Sequence, residues 1–151
     1  MENKIGSLYK KTHRLIAMSA DGLPVYHDKV AGLSREIMHE AAMLLPLRGQ
    51  SVREEAEICL VLLMAYNTSI YAPIDRWRHA QEILNRAQTI LPLLGDLPLK
   101  VKLLAWCFAE VEDEALLEEA RSIIDSWDPR HRDTEQLEAI GELELFEENI
   151  Q

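Results

Sequence analysis

Ser51-Val52-Arg53-Glu54-Glu55-Ala56-Glu57-Ile58-Cys59-Leu60-Val61-Leu62-Leu63-Met64-Ala65-Tyr66 is the stretch on which the fold turns. Ser51 and Glu54 stand at the spacing of a capping box. The Ser51 hydroxyl accepts the Glu54 amide proton, and the Glu54 carboxylate reaches back to the Ser51 amide. Val52, Ala56, Cys59, Leu63, Tyr66 and Ile70 then recur at the helical period, and Leu60 and Leu62 widen the stripe. A helix apolar over so much of its circumference belongs in the middle of a fold. Its uninterrupted apolar run, Ile58 to Tyr66, is nine residues long, whereas a membrane span needs about 20.

Helical periodicity continues on both sides of this segment, and strand-like alternation is nearly absent. Ile5, Leu8, Thr12, Leu15 and Ile16 line a first helix over about residues 3–19. Asp21-Gly22-Leu23-Pro24 ends it, because glycine supplies a left-handed turn and proline cannot continue a helix. Asp28 caps a second helix bearing Val30, Leu33, Ile37, Ala41 and Leu44, closed by Pro46 and Gly49. Pro73 divides the central helix from a fourth, with Trp77, Ala80, Leu84, Ala87 and Leu91 facing inward. Asp96 caps a fifth through Val101, Leu104, Ala105 and Phe108; Asp113 caps a sixth with Leu116, Ala120, Ile123, Ile124 and Trp127. After Asp128-Pro129, Asp133 or Thr134 starts a last helix carrying Leu137, Ile140 and Leu143. The expectation is an all-α fold: a compact array of six or seven antiparallel helices in a single domain spanning residues 1–151. The spacing of the first four helices suggests helical hairpins, but no repeat signature recurs at period.

The formal net charge of −10 is concentrated: residues 110–151 carry 15 acidic and 3 basic side chains, and residues 1–109 carry 11 acidic and 13 basic. An acidic C-terminal third repels nucleic acid and attracts a basic partner surface. Glu112, Asp113, Glu114, Glu118 and Glu119 are its candidate partner-binding residues. Tyr66-Asn67-Thr68-Ser69-Ile70-Tyr71 sets polar groups into the end of the most apolar helix. There Asn67 either ties a neighbouring loop or, with Tyr66 and Tyr71, forms a polar ledge in a binding groove. The basic patches Lys10-Lys11-Thr12-His13-Arg14 and Arg76-Trp77-Arg78-His79 read as solvated flanks of a helix face.

Catalytic signatures are missing. His39-Glu40-Ala41-Ala42-Met43 approaches a zinc motif, but Met43 stands where the second histidine is needed. There is no nucleophile elbow and no glycine-rich phosphate loop. Cys59 and Cys107, each in an apolar run, read as buried reduced thiols and imply a reducing compartment. The start, Met1-Glu2-Asn3-Lys4-Ile5-Gly6-Ser7, has no signal-peptide pattern. A cytoplasmic protein without cofactor, metal or membrane anchor follows as the expectation. Three readings remain: a regulatory binder with an acidic face, an adaptor holding a peptide in an apolar groove, and a small enzyme with a dispersed site.

Several stretches in order carry a family resemblance: the Asp21-Gly22-x-Pro24 turn, Leu62 to Tyr71, Ile123-Ile124-Asp125-Ser126-Trp127, and the ending Leu145-Phe146-Glu147-Glu148-Asn149. Together they resemble the UpxZ family of transcription antitermination antagonists, over essentially the whole chain. The resemblance implies a small regulator encoded in a bacterial capsular polysaccharide locus. Its partners would be NusG-like antitermination factors, whose action it opposes for competing loci, so that one capsule dominates. It carries over no catalytic or ligand residues.

Overall fold

Backbone groups at helix ends must find partners, and the chain supplies them locally. The computed structural model describes residues 1–69 and 74–147. Its helices are α1 (Glu2–Ala20), α2 (Asp28–Leu44), α3 (Val52–Thr68), α4 (Arg76–Ile90), α5 (Leu97–Val111), α6 (Glu114–Asp125) and α7 (Thr134–Glu147). A single 3-10 turn, Leu91–Leu93, leads out of α4, and the described residues contain no strand. Gly22 is left-handed at φ 84°, and its neighbour Leu23 donates from its amide back to Met18 O. With the Gly22 amide on Ser19 O, this is a Schellman ending. Asp96 and Asp113 accept the amides of Leu99 and Ala115, as their positions predict. Asp133 and Gln136 exchange two amide contacts, of 2.8 and 3.0 Å, in a reciprocal capping box.

Two caps differ from expectation by one residue. His27, not Asp28, caps α2, its Nδ1 accepting the Lys29 amide. Ser51 Oγ does accept the Glu54 amide, but the Glu54 carboxylate accepts from Gln50 rather than from Ser51. Glu55 fills the adjoining role, taking the Gly49 amide at 2.9 Å.

α3 and α5 form the interior. Every α3 side chain from Ile58 to Tyr66 is buried, as is every α5 side chain from Leu103 to Phe108. α1 and α2 pack on α3, α4 lies against α3 and α5, and α6 and α7 cover the far side of α5. Buried residues from all seven helices join one apolar core. The first turns of α1, α3 and α5 line one cleft, with Ile5, Arg53, Glu57 and Pro98 side by side, and α7 brings Glu135 there. Alternate helices therefore run the same way. The C-terminal ends of α1, α3 and α5 all fall at the opposite end.

Two expected core residues are outside. Trp77 and Leu137 are exposed, whereas Trp106 and Trp127 are buried. The physical reasons lie in the polar groups that displaced them.

Candidate partner-binding surface

The polar tail of α3 forms a hub where three helices meet. Thr68 Oγ1 donates back to Met64 O at 2.8 Å within its own helix. Asn67 Nδ2 donates to Glu110 Oε1, 3.1 Å away on α5, and Arg76 Nη2 pairs with the same oxygen from α4. Arg76 Nε donates to Tyr66 O at 2.8 Å, satisfying a C-terminal carbonyl that α3 cannot bond itself. Asn67 thus ties a helix rather than a loop. Tyr66 is buried, and burial pushes its phenol pKa up, with Asp75 and Glu82 adding to the effect. Tyr66 and Asn67 hold the corner together from within, and Tyr71 lies outside the described residues.

Arg76 explains Trp77. Successive residues of a helix point about 100° apart. With Arg76 turned inward to Tyr66 and Glu110, Trp77 is carried out into solvent at 73% exposure.

Beside this hub α5 ends and α6 begins. Glu112 takes the left-handed conformation at φ 54°, a cap position where glycine is usual. Asp113 caps α6, Glu114 opens its first turn, and Glu118 lies one turn further on. Glu119 reaches Lys100 at 3.3 Å. All five acidic side chains are exposed. The structure therefore places all five on one helical hairpin: Glu112 to Glu114 stand next to the corner that Tyr66 and Asn67 brace, and Glu119 faces the start of α5.

A second polar cluster was not legible beforehand. Glu142 on α7 is 3% exposed, yet its carboxylate accepts from Tyr9 Oη at 2.9 Å, Trp106 Nε1 at 2.9 Å and His13 Nε2. Burial alone raises the pKa of such a carboxyl. Here the His13 contact and charge, with the Trp106 and Tyr9 hydrogen bonds, more than offset burial and lower it. The donors come from α1 and α5, so no local pattern around Glu142 announces them. This cluster also explains Leu137. α7 turns Ala139, Glu142, Leu143 and Phe146 toward the protein, and Leu137 falls outside that stripe.

Burial pushes both Cys59 and Cys107 up to about 12, so neither thiol is activated. No group of three metal-ligating side chains converges among the described residues, and none of their helices is long and apolar enough to cross a membrane. The cleft of about 310 Å³ at the α1–α3–α5 start has an apolar floor. Of the cations that line it, Arg53 pairs with Glu57 and Asp96, and Lys102 with Glu138.

A model of the UpxZ family of transcription anti-terminator antagonists matches residues 5–109. The chain belongs to the UpxZ family. The crystal structure of a transcription anti-terminator antagonist UpxZ from Bacteroides uniformis ATCC 8492 is similar along the full length. The two share 34% identity and a TM-score of 0.83, over 99% of this chain and 93% of that one. A search of curated proteins finds no match. The UpxZ family is one of regulatory antagonists, and the matched residues include Tyr66, Asn67 and Arg76 of the hub, with Glu110 one residue past their end. The acidic α6 of this UpxZ-family chain lies beyond the family match and within the region shared with the solved structure.

Proposed function

We propose that this protein is a regulatory antagonist that works by binding, without catalysis, a NusG-like transcription antitermination factor in the cytoplasm. On this reading it limits expression of competing capsular polysaccharide loci. Membership of the UpxZ family carries the proposal. The surface chemistry supports it: Glu112, Asp113, Glu114, Glu118 and Glu119 are exposed on one hairpin, a charge distribution that attracts a basic protein face.

The test is co-purification of the tagged protein from cells expressing a panel of NusG-like antitermination factors, with NusG itself as control. Selective retention of at least one antitermination factor is expected. Retention of none, with an unrelated protein in the eluate, would overturn the reading in favour of an adaptor.

A further inference from the structure

α6 and α7 both pack on α5 but far less on each other, and a groove opens between them. Its volume is about 280 Å³, and its floor is apolar: Ile124 from α6, Ile140 and Leu143 from α7. Residues three or four apart share one face of a helix. On α7 Leu137, Ile140, Glu144 and Glu147 follow that spacing. Leu137, 56% exposed, therefore stands in line with Ile140 and extends the apolar floor toward the turn that closes the hairpin. On α6 the matching stripe is Glu114, Glu118, Arg121 and Asp125.

These two stripes hold five carboxylates and one cation. The cation, Arg121, is taken by Glu147 at 2.8 Å across the groove, and the charges of Glu114 and Glu118 act on it as well. Asp125 and Glu144 line the groove and have no ion pair among the described residues. The surrounding elements do not offset this excess. α5 has two cations, Lys100 and Lys102, held by Glu119 and Glu138 outside the groove. The turn between α6 and α7 is balanced, with Arg130 and Arg132 against Asp128 and Asp133, and His131 bonded to Asp128.

An apolar floor between acidic helix walls is the complement of a basic amphipathic helix. From Leu137 to Glu147 the α7 stripe rises about 15 Å, nearly three turns of a docked helix. We infer that the α6–α7 groove takes the partner, and that its occupant is a basic amphipathic helix of the antitermination factor. Apolar side chains of that helix cover Ile124, Leu137 and Ile140, while its lysines and arginines meet Asp125 and Glu144. This deepens the antagonist reading and rests on it. A second copy of this chain fits less well. Its α1 carries Lys4, Lys10, Lys11 and Arg14, but Ile5, Leu8 and Leu15 of that helix are buried in the core and cannot supply the apolar half.

The test measures affinity for a purified antitermination factor that the wild-type protein retains. The groove variant combines Asp125→Asn, Leu137→Ala and Glu144→Gln. A control combines Asp21→Asn, Asp28→Asn and Leu93→Ala. Each removes two negative charges and one exposed leucine, so a loss caused by net charge alone is shared by both. All six side chains are exposed, so both variants are expected to fold, which circular dichroism checks. The groove variant is expected to lose affinity by about tenfold or more, and the control to stay within about threefold of wild type. Full affinity in the groove variant, or an equal loss in the control, would overturn the inference while leaving the antagonist reading intact. Light scattering reads the mass of the free proteins: a wild-type dimer that the groove variant turns into a monomer would give the groove to a second copy and overturn the inference too. A wild-type protein that binds none of the factors overturns the antagonist reading and, with it, this choice of occupant.

Discussion

Glu142 keeps its negative charge inside the protein because donors from two other helices reach it: Tyr9 and His13 on α1, Trp106 on α5. A buried carboxylate is tolerated only when its lone pairs are met this way. Lys102 extends the cluster, its Nζ 3.2 Å from the Tyr9 hydroxyl. Burial, then the Glu142 charge, pushes the Tyr9 phenol up, so Tyr9 remains a donor throughout the physiological range. Glu142→Gln removes the charge at nearly constant volume and costs about 2 kcal/mol of stability at neutral pH, the scale of a lost charged hydrogen bond. The pH dependence follows from sign. The folded carboxyl of Glu142 is depressed below its unfolded value, roughly 4.3. Its contribution is therefore complete above that pH and lost as pH falls through the folded value. Urea unfolding at neutral pH and at about pH 3.5 is expected to show a shallower acid loss in Glu142→Gln than in wild type. Equal acid losses in the two proteins would exclude this linkage.

At the scale of elements, the α2–α3 connection is held by one guanidinium from α4. Arg86 makes contacts of 2.8 and 2.9 Å with the Glu55 carboxylate and donates to Leu45 O and Leu47 O. Gly49 completes the clamp, since a Cβ there would lie 2.2 Å from the Glu55 amide nitrogen. Lysine cannot reproduce a forked contact plus two carbonyls. Arg86→Lys is therefore expected to lower the thermal midpoint by about 5 °C, and scanning calorimetry checks it; an unchanged midpoint would show the clamp to be redundant. This clamp also marks the limit of what periodicity reveals. The seven helices, their aspartate caps at 96 and 113, and the Gly22 turn follow from local chemistry and are present as read. Glu55 adjoins the capping Glu54 in the sequence and carries no apolar period, yet it is half-buried against Arg86. Trp77 and Leu137 continue an apolar spacing that reads as inward. Arg76 and Glu142 took those orientations through partners far away in the sequence. Polar pairs that join distant helices carry no period, and this is why the hubs stayed hidden while the helices did not. The candidate surface was legible only in part: the acidic residues could be named, but the bracing of the neighbouring corner by Asn67, Arg76 and Glu110 could not.

For the molecule as a whole, the distribution of charge matters more than its total. The segment from residue 110 onward carries a net −12, and residues 1–109 a net +2. α6 and α7 therefore lend an acidic flank to a nearly neutral body. A field of this kind acts first on encounter, over distances of about a Debye length, roughly 8 Å at physiological salt. Such attraction raises association rates and weakens steeply as salt is added. Glu112→Gln, Asp113→Asn, Glu114→Gln, Glu118→Gln and Glu119→Gln together remove five charges while leaving the α6 cap, since asparagine caps as well as aspartate. The lost contact with Lys100 is half-exposed and worth about 1 kcal/mol or less, so the fold is expected to survive. Binding of the antitermination factor should then weaken by about tenfold at low salt, mostly through a slower association rate, and its salt dependence should flatten. Above about 0.5 M salt the variant and wild type should converge, because screening has already removed what the substitutions remove. Stopped-flow association across a salt series reads both quantities. An unchanged slope with unchanged affinity would mean that the acidic hairpin keeps the protein solvated and takes no part in capture.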